Sequence, residues 1–388
     1  MSFDAVRYQP SAVRMLRAAV AQDRVAHAYL FVGPRGVGKG LAARELTKLL
    51  FCPSLRGDGA DTLDPCDACD ACRRVGRGTH PDLYWFRKET ERNDFRLAIV
   101  TRREGPDGTP AWLTATVTES AALMPMEANR TVTVLDDAEL LNRAAANALL
   151  KTLEEPSPHA VLVLLCADES RLPGTILSRC QWVRFRPLPE AFVAEKVREV
   201  LAQRPEQADA DGEAPPPTPS EEEVAFVCRF AGGSIERAAD LVGTGLWDLK
   251  RTLLDRLPDL GPAAALDMAD AVVDWGKAVA GREGAKSGSA EANAVRRRTA
   301  RLALAAVASA FGDAAILSAG GEGADRLVNA DQRTVIQTLA QWPPDAWARA
   351  VALLADGQTH VRRYVHPELA TENALVQVSR LRPAEPRA

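Results

Sequence analysis

The sequence predicts an α/β domain built on a parallel sheet, followed by a region that is helical throughout. Three observations carry this. The continuously apolar runs Ala28–Val32, Thr131–Leu135 and Ala160–Cys166 alternate with segments of helical periodicity over the first half of the chain, the pattern of strands buried on both faces and joined by crossover helices. The first run opens into Gly33-Pro-Arg-Gly-Val-Gly-Lys39-Gly40, a turn of the kind that joins a strand to a helix. Beyond Pro189 the strand signals stop.

The elements follow in order. Val13, Leu16 and Val20 lie on one helical face over 11–25, with Pro10 and Ser11 as start signals. The strand at 28–32, the glycine-rich turn and a helix through about 50 make one strand-loop-helix unit. Four cysteines interrupt the chain, and His80-Pro-Asp-Leu-Tyr-Trp-Phe86 reads as the second strand. Residues 87–110 are polar, with a turn at Gly105-Pro-Asp-Gly108. The strand at 131–135 ends in Asp136-Asp137, and the helix at 142–153 stops at Glu154-Glu-Pro156, because proline lacks the donor and clashes with the preceding turn. A fourth strand spans 160–166 and a fifth is expected at 183–185.

In the helical half, 204–219 is rich in Pro, Asp, Glu and Ala and reads as a flexible insertion. Ser220-Glu-Glu-Glu223 has the spacing of a capping box, Gly232-Gly233 ends the helix that follows, and Ser234 caps the next. Helices separated by a second flexible stretch at 281–290 complete the chain, with no evident internal repeat.

The chain has 388 residues, enough for two or three domains, and is 46% hydrophobic and 26% charged with a net charge of -4. That balance excludes a generally basic nucleic-acid coat protein, so contact with DNA requires a local patch or partners. No basic segment followed by an apolar one opens the chain, which sets the expectation of a cytoplasmic protein. The longest strongly apolar run, 160–167, falls short of the roughly 20 residues of a membrane helix. The Ala-rich segment 302–319 carries Ser309 and Asp313 and reads as a packed helix.

Four places carry chemistry. At 33–40, Gly33, Gly36, Gly38 and Lys39 stand where a phosphate loop needs small residues and a lysine, so that backbone amides wrap phosphate oxygens at a helix N-terminus. Gly40 stands where Ser or Thr would supply a hydroxyl to magnesium. The competing reading is a turn kept for its shape. Asp136 ends a strand and has the place of a carboxylate that holds magnesium, and Asp137 is one methylene shorter than the glutamate that orients an attacking water. The alternative is a pair of acids capping the next helix.

Cys52-x13-Cys66-x2-Cys69-x2-Cys72 can surround a structural zinc tetrahedrally, free thiols and an iron-sulfur cluster being the alternatives. His80 reads as a strand-entry residue rather than a fifth ligand. Cys166, Cys180 and Cys228 sit in apolar surroundings and read as small buried side chains. Arg179, in Ser178-Arg-Cys180, is one arginine among many, for which a surface salt bridge is the plain reading.

Together these stretches resemble the clamp-loader ATPases of the AAA+ class, and within them the delta-prime branch of bacterial DNA polymerase III. The resemblance rests on His27-Ala-Tyr-Leu-Phe31, the four-cysteine insertion, His80-Pro-Asp82, Asn147-Ala-Leu-Leu-Lys-Thr-Leu-Glu-Glu-Pro156 and Ser178-Arg-Cys180, over about residues 10–190. It implies an AAA+ P-loop domain at 1–189 with a zinc-binding insertion at 52–72, a small helical lid at 190–245 and an all-α collar at 246–388. It implies Arg179 as an arginine finger given in trans, and Arg237, in Gly233-Ser-Ile-Glu-Arg237, as a second sensor toward nucleotide.

Ala167 stands where hydrolysing clamp-loader subunits carry a polar sensor, and with Gly40 and Asp137 this implies weak or absent ATP hydrolysis. Residues 94–119 depart from the family's pattern. The implied function is that of a clamp-loader component in DNA replication, assembling with gamma/tau ATPase subunits and delta, and acting on the sliding clamp and primer-template DNA through the complex. Two alternatives are an ATP-hydrolysing gamma/tau-like subunit and a zinc-containing DNA-binding regulatory module on an ATPase fold.

Overall fold

A computed structural model describes residues 3–57, 59–87, 116–203, 219–320, 326–363 and 366–383. The expected polar turn at 105–108, most of the anomalous stretch 94–119 and nearly all of the insertion at 204–219 lie outside these. The chain divides into two compact units, 1–189 and 190–388.

In the first unit, β1 (Ala28–Val32), β2 (Leu83–Phe86), β3 (Thr131–Leu135), β4 (Ala160–Cys166) and β5 (Gln181–Arg184) form one sheet in the order β2-β3-β4-β1-β5. Every pairing is parallel, with Ala28 opposite Leu162, Tyr29 opposite Gln181, Leu83 opposite Val132 and Thr131 opposite Ala160. The fifth strand begins two residues before the expected start at 183. The second is four residues long, because His80-Pro-Asp82 forms the turn that leads into it.

Helices α1 (Pro10–Ala21), α2 (Lys39–Phe51), α3 (Asp70–Arg77), α4 (Val117–Ala122), α5 (Arg143–Glu154) and α6 (Gly174–Leu177) accompany the sheet. Side chains of β1 alternate between its faces. Ala28, Leu30 and Val32 join Leu135, Leu162, Leu164 and Cys166 against Ala145, Ala146, Leu149 and Leu153 of α5. On the other face the Phe31 ring lies 5.3 Å from Phe185. Asn142, not an aspartate, caps α5, its Oδ1 accepting the Ala145 N–H. Burial raises the Cys166 and Cys180 thiols to about 12 and Cys228 to about 11, so these three are inert packing groups.

Among its described residues the second unit is all helical, containing the segments expected as lid and as collar. Its helices are α7 (Glu190–Ala202), α8 (Glu221–Phe230), α9 (Ile235–Leu241), α10 (Leu246–Asp255), α11 (Pro262–Arg282), α12 (Ala290–Ser318), α13 (Arg333–Leu339), α14 (Pro344–Arg362) and α15 (Pro367–Ser379). Ser220 Oγ caps α8 by accepting the Glu223 N–H, while the Glu223 carboxylate accepts from Gly243. Ser234 caps α9.

The long apolar α12 has the length and hydropathy of a membrane-spanning helix, with half of its most apolar window buried. It packs against α10, α11, α13 and α14. Lys250 of α10 is fully buried, its ammonium 2.5 and 2.6 Å from the two Asp331 carboxylate oxygens and lying over the Phe226 and Trp247 rings. Asp313 of α12 accepts the Val328 and Asn329 N–H groups, which pins the chain ahead of α13.

Candidate nucleotide loop and cysteine cluster

Parallel pairing brings the C-terminal ends of β1, β3 and β4 to one edge of the first unit, where ligands of open α/β sheets bind. Gly33 leaves β1 with its N–H on the Cys166 carbonyl of β4. A Cβ on Gly33 would lie 2.5 Å from the Phe185 carbonyl oxygen, so only glycine passes there. Gly36 and Gly38 take positive φ values of 68° and 99°, which L side chains resist. The turn is braced by Gln9, whose amide donates to the Val37 and Arg186 carbonyls and accepts the Arg186 N–H.

Lys39 begins α2 and is buried, its ammonium donating to the Gly33 carbonyl at 2.6 Å and the Pro34 carbonyl at 2.7 Å. Burial pushes this amine below its ordinary value, against the opposing pull of Glu139 and Asp136. Asp136 accepts from Arg87 Nε at 3.2 Å and from its neighbour's N–H at 3.1 Å. Asp137 takes a left-handed conformation and holds Arg35 at 2.5 Å. The structure therefore gathers Gly33, Gly36, Gly38, Lys39, Gly40, Asp136 and Asp137 at one edge, with each charged group engaged by protein.

Two further residues shape this edge. Glu139 is buried, accepts the Ala167 N–H at 3.1 Å and lies 3.9 Å from Arg35. It is the acid of Asp136-Asp-Ala-Glu139, two positions past the pair singled out, and no motif marks it. Trp85 of β2 stands beside position 40, where a Cβ would meet the indole at 3.6 Å and Leu165 at 3.8 Å. The residues present do not fit a magnesium site of the hydrolysing kind. Position 40 offers no hydroxyl and faces an indole, and Asp136 faces a guanidinium.

Arg179 follows α6 in the same unit. Its guanidinium donates to the Thr175 carbonyl at 3.0 Å and pairs with Glu154 of α5 at 2.8 Å. Arg237 belongs to the second unit, where its guanidinium stacks on the Phe230 ring at 5.2 Å.

The four cysteine sulfurs Cys52, Cys66, Cys69 and Cys72 all lie within 4.8 Å of one another, and among the described residues they are the one cluster able to hold a metal. The Cys66–Cys72 and Cys52–Cys69 separations are 4.0 and 3.9 Å, close to the ~3.8 Å edge of a tetrahedron with metal–sulfur bonds of about 2.3 Å. Backbone N–H groups of Cys66, Cys69 and Cys72 point at the sulfurs of Cys52, Cys66 and Cys69. N–H bonds from Ala68 and Cys69 favour the Cys66 thiolate, lowering it to about 6. A soft, electron-rich tetrahedron of this kind fits zinc.

The turn is fixed from α2 by Lys48, which is buried between Glu45 at 2.8 Å and Asp67 at 2.7 Å. His80 lies against Phe51 at 4.5 Å, and its Nδ1 accepts the Asp82 N–H. The Asp82 carboxylate in turn accepts the N–H groups of Met126, Glu127 and Ala128.

Residues 8–189 match the family model described as DNA polymerase III, delta subunit. DNA polymerase III subunit delta' of Bacillus subtilis is 34% identical over 191 residues, 49% of this chain and 51% of that protein. The subunit delta' of Pseudomonas aeruginosa is 37% identical over 184 residues, 47% of this chain and 50% of its own length. DNA polymerase III subunit tau of Escherichia coli is 32% identical over 193 residues, 50% of this chain and 27% of tau. The chain thus spans about half the length of the delta' relatives it matches. Through residues 8–189, this chain is similar to the delta-prime clamp-loader subunits of DNA polymerase III.

Proposed function

We propose that the chain is a clamp-loader component of DNA replication that does not hydrolyse ATP itself. It assembles with ATPase subunits of the gamma/tau kind and with delta, presents Arg179 to ATP held by a neighbour, and helps load the sliding clamp on primed DNA. The observation that carries this reading is the engagement of Lys39 by the loop's own Gly33 and Pro34 carbonyls, beside a position 40 without a hydroxyl. A lysine that must first leave two carbonyls, at a site without a magnesium ligand, is poorly placed to stabilise charge on a transferring phosphoryl group.

Arg179, by contrast, keeps about a third of its side chain exposed (35%), as a residue acting on another chain must. The four cysteines hold a structural zinc, which supplies a cross-link between 52 and 72 and leaves no open coordination position for chemistry. Arg237 serves the helical lid at 190–245, and the collar at 246–388 carries the assembly contacts.

The test is ATP turnover by the pure chain and by the complex reconstituted with its ATPase partners and DNA. The pure chain is expected to show no turnover above background, unchanged by Lys39→Ala, and Arg179→Ala is expected to lower DNA-stimulated hydrolysis and clamp loading by the complex. Turnover by the pure chain that Lys39→Ala abolishes would establish the gamma/tau-like alternative instead.

A further inference from the structure

The ion pair between Glu154 and Arg179 has a feature that the finger reading alone does not explain. Glu154 is the last residue of α5, where the negative end of the helix dipole disfavours a carboxylate, and Glu155 follows it. The helix would be better ended by a lysine. What Glu154 meets there is Arg179, at 2.8 Å on one terminal nitrogen. The other terminal nitrogen donates to the Thr175 carbonyl at 3.0 Å and reaches Ser178 Oγ at 3.4 Å. Two separate elements, α5 and α6, therefore grip the two ends of one guanidinium, fixing its plane while the side chain stays partly exposed. An acid placed against its helix's own preference, opposite a candidate catalytic arginine, indicates a task other than helix stability.

We infer that Glu154 is the positioning residue for Arg179. It holds the guanidinium in the orientation from which its remaining N–H donors meet a phosphate on a neighbouring subunit. A free arginine has several rotatable bonds to order before it can present a planar fork to phosphate oxygens. The carboxylate orders them beforehand, so the arginine reaches the transition state without a search. This inference rests on the arginine-finger reading of Arg179.

The experiment uses the reconstituted complex with ATP-hydrolysing partner subunits and DNA, and reads kcat and KM for ATP separately. Arg179→Ala is expected to lower kcat by at least about tenfold. Glu154→Ala is expected to lower kcat by roughly threefold to tenfold with KM unchanged, and Glu154→Gln, which keeps an acceptor oxygen at the same reach, to recover most of the loss. A merely structural glutamate would not show this split or this rescue. If Arg179→Ala lowers kcat while Glu154→Ala leaves or raises it, the positioning role is overturned and the finger stands. If Arg179→Ala has no effect, the finger reading falls and the positioning role with it. Should Glu154→Ala fail to fold, Glu154→Lys, which favours the helix end but repels Arg179, takes its place, and unchanged kcat overturns the proposal.

Discussion

The Glu139 carboxylate accepts the backbone N–H of Ala167 at 3.1 Å, joining the turn after β3 to the end of β4 beneath the glycine-rich loop. Glu139→Ala leaves that N–H without its acceptor and is expected to cost about 1–3 kcal/mol. Glu139→Gln, which keeps an acceptor oxygen, is expected to cost less. Urea denaturation of the three proteins checks the order, and an alanine variant as stable as the parent refutes it.

The glycines of the loop are expected to separate sharply. Gly33→Ala sets a Cβ at 2.5 Å from the Phe185 carbonyl oxygen and 2.8 Å from its Cβ, an overpacking that costs about 1–3 kcal/mol. Gly40→Ala places its methyl at ordinary contact distance from Trp85 and Leu165 inside a helix, where alanine is favoured over glycine by up to about 1 kcal/mol. Melting temperatures of the two variants should move in opposite directions.

The cysteine cluster predicts one zinc per chain by elemental analysis, lost in Cys69→Ser or Cys72→Ser. A ligand that binds only the folded state stabilises it by about 4 kcal/mol when present at a thousand times its Kd. Chelation is therefore expected to lower the melting temperature of the native chain and to leave that of the serine variants unchanged. A chain that carries no zinc, or melts the same with and without chelator, contradicts the assignment.

His80 gives a pH dependence. Burial pushes its imidazole below the ordinary value of 6.5, and its Nδ1 is already used as an acceptor. The unfolded chain therefore takes up the proton first, and stability falls as pH drops from about 6.5 toward the folded pKa. The slope from this one group reaches at most about 1.4 kcal/mol per pH unit. His80→Gln should flatten that acid limb in denaturation profiles measured from pH 8 to 5, and an unaltered profile would exclude His80 as its source.

The strands were legible because a parallel strand covered on both faces has no polar alternation to obscure it: 28–32, 131–135 and 160–166 read directly as apolar runs. The cysteines were legible because their partners lie within one short stretch. What escaped depends on contacts between distant positions. Glu139 and Ala167 are 28 residues apart, Trp85 reaches Gly40 only because two elements pack together, and Asp82 meets the 126–128 amides from 44 to 46 residues away. No local spacing encodes these. The fifth strand starts ahead of the expected Val183 because Gln181 is exposed and Trp182 only half-buried, so its first two residues carry no apolar run.

The Lys250–Asp331 contact spans 81 residues. Until that loop closes, an ammonium destined for an aromatic pocket has no counterion there, and a buried charge without its partner is strongly unfavourable. The helices around Lys250 therefore gain little by assembling before the chain near Asp331 arrives. The helix that carries Lys250 is thereby tied to the chain near Asp331, and a fragment ending ahead of Asp331 would leave that helix without the partner its burial requires.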